Sequence, residues 1–119
     1  MKLIEAGRIR EGLPYTQQNF LLIDGGAIVG QPMAMEIAEQ GQLELAIFTP
    51  PRYRRKGYAT AGLRLLIAWA VKNGYKKVTL TDLYGTGAIE KIARKLGFTQ
   101  RQGSFPVVWD KCLDGPLYL

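Results

Sequence analysis

One stretch of this 119-residue sequence gathers groups suited to holding a polyanion: Thr49-Pro50-Pro51-Arg52-Tyr53-Arg54-Arg55-Lys56-Gly57-Tyr58-Ala59-Thr60. The apolar run before it, Leu43-Glu44-Leu45-Ala46-Ile47-Phe48, stops at two prolines that cannot donate to a sheet ladder. A basic loop follows, and helical periodicity begins at or just after Gly57. The first backbone N–H groups of a helix have no partner within it and sit at the positive end of its dipole. A phosphate group satisfies both conditions. Gly57 lets the backbone come close to such a group, the small Ala59 keeps the approach open, and Arg54, Arg55 and Lys56 add positive charge there. The stretch therefore reads as a diphosphate site in a strand–loop–helix unit. The plainer reading is a solvated basic loop ahead of an ordinary helix. The Gly-Lys-Ser/Thr end of a Walker loop and the three-glycine spacing of a dinucleotide fingerprint are both missing.

Composition narrows the chemistry further. The chain has 16 Lys plus Arg against 10 Asp plus Glu, a net charge of +6, which draws polyanions such as nucleic acid or a phosphate-rich cofactor. It contains no histidine, which removes serine-triad chemistry, histidine base catalysis and most zinc sites. Cys112 is the single cysteine, so no intrachain disulfide forms; this is compatible with a reducing cytoplasm. No apolar run reaches the roughly 18 residues that cross a bilayer. The length fits a single domain over residues 1–119.

The elements that must position the basic loop follow from periodicity. The N-terminal third reads as strands, with Asn19–Ile23 and Ala27–Ile37 joined through the tight turn Asp24-Gly25-Gly26. Gly30 and Pro32 suggest a bulge or a sheet edge. Leu43–Phe48 is the clearest strand. Period two then gives way to period 3.6: Leu63, Leu66, Ile67, Ala70 and Val71 form one face of a helix from about Gly57 to Asn73, stopped by Asn73-Gly74. Lys77–Thr81 is a short strand. A second helix runs from about Thr86 to Leu96 with Gly97 as its left-handed cap. Phe98–Gln102 and Pro106–Lys111 are expected as final strands, and residues 113–119 as a further one. A meander followed by helix, strand, helix and strands makes an α/β fold with mixed strand directions.

Arg54-Arg55-Lys56-Gly57-Tyr58-Ala59 matches the Arg/Gln-x-x-Gly-x-Gly/Ala signature of the GNAT superfamily of N-acetyltransferases, and Ile47 to Thr60 resembles that family's strand-four to helix-three segment almost throughout. Downstream, Thr86 to Phe98, ending Lys95-Leu96-Gly97-Phe98, resembles the family's helix ending in Lys-Leu-Gly-Phe. The two landmarks stand in the family's order and spacing, over Leu43 to Phe98. The resemblance implies a mixed, mostly antiparallel central sheet flanked by helices. Its N-terminal helical region is reduced here, since only Arg8 to Gln18 separates Met1–Ala6 from Asn19. It further implies acetyl-CoA as co-substrate, no metal, and a primary amine as acceptor. Backbone amides of Arg54, Arg55, Lys56, Gly57, Tyr58, Ala59 and Thr60 would hold the pyrophosphate. Ile47, Phe48 and Thr49 would pair with the pantetheine arm, and Thr86 stands where the family has a cofactor-binding asparagine. The family's tyrosine acid is replaced by Ala93.

Acyl transfer to an amine needs a base for the amine proton, a polarised carbonyl and a proton for the leaving thiolate. Glu44 is the candidate base, because it lies on the strand that meets the cofactor, where it shares a face with Ala46 and Phe48; the plainer reading is a solvent-facing strand glutamate, and Glu36 and Asp82 are reserves. Tyr84 is the candidate acid. Trp69 and Trp109 read as packed residues, Met33 and Met35 as core or acceptor-cleft wall, and Lys91, Arg94 and Lys95 as a solvated face. Competing readings are a non-catalytic acyl-CoA-binding module and a nucleic-acid binder in which Tyr53 and Tyr58 flank the basic run. The shortened N-terminal region leaves the acceptor side open or completed by a second copy, so a homodimer is expected.

Overall fold

A computed structural model of the chain describes residues 1–9, 15–36, 41–82 and 87–113. The strands are β1 (Lys2–Ile9), β2 (Thr16–Asp24), β3 (Ala27–Glu36), β4 (Gln42–Phe48), β5 (Lys77–Asp82), β6 (Thr99–Gln100) and β7 (Val107–Cys112). The helices are α1 (Tyr58–Lys72) and α2 (Ala88–Lys95). One sheet takes the order β1-β2-β3-β4-β5-β7-β6, with β4 and β5 as its parallel pair and the rest antiparallel. This is the expected mixed α/β sheet. Most of the expected strand and helix bounds hold to within two or three residues. The expected strand over residues 113–119 falls mostly outside the described residues.

Turn chemistry places the ends. Gly25 and Gly26 have φ of 58° and 83°, the paired left-handed geometry of a two-residue hairpin. At the end of α1, the amide of Tyr75 bonds the Ala70 carbonyl at 3.0 Å across left-handed Gly74; at the end of α2, Phe98 bonds Ala93 at 2.8 Å across Gly97. Both are Schellman closures. β3 differs from one expectation: Pro32 is fully buried and lies opposite Ile47 between two neighbouring strands, so it is not at an edge. The register of β2 with β3 shifts beside Gly30, so the bulge is there.

Both helices cover the same face of the sheet. Leu63, Leu66 and Ala70 of α1 and Ala93 of α2 pack into one cluster with Leu43, Leu45, Val78, Leu80 and Trp109. Register puts those strand residues on one side, and Gln17, Asn19, Met33, Met35, Glu44, Ala46 and Thr79 on the other. Among the described residues no element covers that second side, and only residues 10–15 separate β1 from β2. None of the described helices is long and apolar enough to cross a membrane.

Helix α1 lies close on the sheet because Gly62 has no side chain. A Cβ there would stand 2.7 Å from Ile47 Cδ1 and 3.1 Å from Leu22 Cδ2. Gly62→Leu is therefore expected to overpack the layer and destabilise it by about 1–3 kcal/mol. Thermal unfolding should read this as a melting temperature several degrees lower, and an unchanged melt would mean that α1 sits farther from the sheet.

Candidate active site

The structural feature that makes a site is a parting of strands. β4 stays paired to β3 as far as Phe48, and β5 stays paired to β7 as far as Asp82. Between β4 and β5 pairing covers only Gln42, Leu43 and Glu44 against Lys77, Val78 and Thr79. Beyond that point each strand turns unpaired backbone toward a gap. A cleft of about 660 Å³ occupies it, lined by Ala46, Ile47, Phe48 and Thr49 on one wall and by Leu80, Thr81 and Asp82 on the other.

A second cleft, of about 550 Å³, lies over the start of α1. A single 3-10 turn, Pro51–Tyr53, folds the chain back after β4. Arg55 and Gly57 then both adopt left-handed backbone, with φ of 62° and 81°. For a non-glycine residue such as Arg55 this conformation costs about 1–2 kcal/mol. The alternation curls successive N–H groups toward a common centre, as in an anion nest. Helix α1 has no side-chain cap and no acidic residue in its first turn, and its first i→i−4 bond runs from Ala61 to Gly57 at 3.0 Å. Among the described residues the amides of Lys56, Gly57, Tyr58, Ala59 and Thr60 find no backbone acceptor. A Cβ at Gly57 would meet nothing within 4 Å, so the space over the turn is open.

The two clefts share Thr49, Arg54 and Ala88 and so form one channel, running from the α1 turn into the gap between the strands. Arg54 sits at the bend. Its Nε donates to the Thr49 carbonyl at 3.0 Å, and its guanidinium lies 6.0 Å from the Phe48 ring centre. Arg55 also lines the upper cleft, whereas Lys56 is exposed and outside the lining. Lys91 lines it from α2. Lys91 is exposed, as its reading as a solvated residue expected, and one turn of α2 also brings it over the channel, which helix periodicity does not reveal. Arg94 is exposed as expected, but it also pairs with Glu90 at 3.0 Å and lies 5.1 Å from the Trp109 ring centre.

The tyrosines flanking the basic run are engaged with the protein. Tyr58 donates its hydroxyl to Asp24 Oδ2 at 2.8 Å, and this bond, followed by burial, raises its phenol pKa above the ordinary value. Tyr53 meets Tyr58 edge to face at 5.9 Å. They are not two free platforms for stacked bases.

Glu44 is the last paired position of β4, just before the gap opens; it lies on the side of the sheet away from the helices and is not among the residues that line the cleft. The Thr81 hydroxyl donates to its Oε1 at 2.6 Å and fixes the carboxylate. The reserve carboxylates are placed otherwise. Glu36 lies opposite Leu43, on the helix side of the sheet, because the partner of Glu44 is Met35. Asp82 lines the gap, but its Oδ2 accepts from the Gly87 amide at 3.4 Å, at the entry to α2. Tyr84 and Thr86 lie outside the described residues.

Comparison with known proteins follows the same lines. A family model described as the acetyltransferase (GNAT) family matches residues 6–98. An N-acetyltransferase from Staphylococcus aureus superposes with a TM-score of 0.69 at 20% identity, covering 82% of this chain and 68% of that one. A ribosomal-protein-alanine N-acetyltransferase from Brucella melitensis gives 0.71 at 16%, covering 81% and 68%. Mycobacterium smegmatis RimJ, solved with CoA-disulfide, gives 0.70 at 13%, covering 81% of this chain and 53% of its own. At such identities the likeness is one of fold, and this chain spans between about half and two thirds of those proteins. No curated protein matches the sequence significantly.

Proposed function

This chain belongs to the GNAT family, as an N-acyltransferase that draws its acyl group from acyl-CoA, and we propose that it moves an acetyl group from acetyl-CoA to a primary amine through the channel described above. The observation that carries this reading is the continuity of a nest of unpaired amides with a gap between two strands. The nest suits a diphosphate. The gap suits an extended chain bearing amides, which can bond the free edge of β4 as a strand would. One ligand with both parts would fill both clefts.

The amide of Arg54, expected on the pyrophosphate, donates instead to the Pro51 carbonyl at 3.3 Å; in this reading the backbone amides from Arg55 to Thr60 grip the pyrophosphate, with Arg54, Arg55 and Lys91 supplying charge. Ile47, Phe48 and Thr49 pair with the pantetheine arm, and Thr86 contributes a hydroxyl. Backbone N–H groups near Phe48 and Thr49 polarise the thioester carbonyl. Glu44, oriented by Thr81, takes the amine proton directly or through a water. The amine nitrogen then bonds to the carbonyl carbon, the carbon–sulfur bond breaks, and the thiolate takes a proton, for which Tyr84 is the proposed donor. Since Glu44 faces the side that none of the described helices covers, the acceptor arrives from there. Action in the cytoplasm, and as a homodimer that completes the acceptor side, goes with this reading; light scattering on the purified chain reports the second point.

Calorimetry and thiol release test the function together. Acetyl-CoA should bind in the low micromolar range, and free thiol should appear faster when an amine from a panel is added. Tight binding without thiol release would instead make the chain a non-catalytic acyl-CoA binder. Binding confined to oligonucleotides, with a steep salt dependence, would overturn the reading.

A further inference from the structure

A third cavity, of about 180 Å³, opens at the far end of the sheet from the acyl-carrier channel. It lies on the helix side, between the ends of β1, β2 and β3 and the last turn of α1. Register brings its strand residues together: Arg8 lies opposite Gln18, and Thr16 lies opposite Glu36. Trp69 and Tyr75 wall it from α1 and the turn beyond, over an apolar floor of Ala34 and Leu43.

Its arginine is held by a neutral neighbour. Gln18 is only 7% exposed, and its side chain is fully used. Nε2 donates to the carbonyls of Gly7 at 3.0 Å and Asn19 at 3.1 Å, while Oε1 accepts from Arg8 Nε at 3.3 Å. That leaves the two terminal nitrogens of Arg8 for something else, and among the described residues no carboxylate pairs with them. Burial, and after it the nearby Glu36 carboxylate, raise the Tyr75 phenol pKa, and Glu36 has no cationic partner among the described residues. Trp69 and Tyr75 are stacked, with centres 5.9 Å apart and planes 24° apart, so the aromatic wall is flat. An arginine held by Gln18 and a glutamate beside Tyr75 thus line one small cavity, and no ion pair joins them.

We propose that this cavity binds a small zwitterion, an α-amino acid with a short side chain, its carboxylate on Arg8 and its ammonium on Glu36. A guanidinium with two free nitrogens matches a carboxylate in a fork geometry. Glu36 offers acceptor oxygens to an ammonium, and the aromatic wall takes the aliphatic part, with its ring faces also favouring the cation. The volume lies below the roughly 300 Å³ at which pockets begin to take drug-sized ligands, so the occupant is small. A ligand with one charge would leave Arg8 or Glu36 unpaired, and this sets the selectivity.

The intrinsic fluorescence of the full chain tests this without reference to acyl transfer. Trp69 lines the cavity, whereas Trp109 is buried in the core, so a ligand-dependent change should vanish in Trp69→Phe. Glycine, alanine and serine should give saturable changes with Kd near or below about 1 mM. Methylamine and acetate, which carry one charge each, should bind at least about tenfold more weakly. Arg8→Met and Glu36→Gln should each weaken the amino acids by a similar factor. If either variant folds poorly, a rise in the wild-type melting temperature with alanine, and none with acetate, keeps the test open. No saturation by wild type at ten times the stated concentration overturns the proposal, as does equal binding of acetate or binding that survives both substitutions in folded protein.

Discussion

Gly57→Glu is expected to raise the Kd for acetyl-CoA by about 100-fold or more while the protein stays folded. Like charges placed face to face across an interface cost several kcal/mol, and every 1.4 kcal/mol is about a factor of ten in Kd. The new carboxylate would stand over the turn where the amides of Lys56 to Thr60 converge. It would compete for the donors that a pyrophosphate needs and repel that group as well. The fold should tolerate the change, because a Cβ at Gly57 meets nothing within 4 Å. The backbone penalty at φ 81° is about 1–2 kcal/mol, which lowers the melting temperature without unfolding the domain. Gly57→Ala carries the same backbone penalty without the charge and should lose much less affinity. Calorimetry on the variants decides the matter: a folded Gly57→Glu protein with wild-type affinity would place the diphosphate elsewhere.

The second large effect is expected at Glu44. Glu44→Gln keeps the shape and can still bond the Thr81 hydroxyl, but it cannot accept a proton. Removing a positioned general base costs about 100-fold or more in rate. The loss should appear in kcat with acetyl-CoA affinity close to wild type, because Glu44 lines neither of the two clefts that the cofactor would fill. The deficit should shrink at high pH, where more of the amine is already neutral and needs no base. Thr81→Val removes the bond at 2.6 Å and should show a milder form of the same behaviour. A Glu44→Gln enzyme with unchanged kcat and pH profile would return Glu44 to the status of a surface residue.

The parts of the site that sequence made legible are those set by local chemistry. The prolines after Phe48, the glycine before Tyr58 and the switch of period from two to 3.6 all act within a few residues, and they locate the turn and α1 closely. The alternation of β4 correctly puts Glu44, Ala46 and Phe48 on one face. What sequence could not show depends on how distant elements meet. Glu36 and Glu44 seem equivalent until the β3–β4 register pairs Glu44 with Met35 and turns Glu36 to the other side. Lys91 resembles its solvated neighbours on α2 until that helix is seen leaning over the channel. Asp82 reads as free until Gly87 comes back to it. Arg55 gives no residue-type signal for its left-handed backbone, which suits glycine and is imposed here by the turn around it. The parting of β4 from β5 has no local signature either, since both strands are regular along their other neighbours.

That parting also bears on aggregation. Exposed strand edges invite pairing with other proteins, and most sheets blunt them at the rim. Here hydrogen-bonding backbone is kept free inside the sheet, between strands zipped together at Glu44 and Thr79 and roofed by Leu63, Ala88 and Ile89. A guest strand with side chains on both faces has no way in, whereas a slender amide-bearing arm does. The fold can thus keep a sticky edge permanently available to a small molecule without becoming a seed for fibrils.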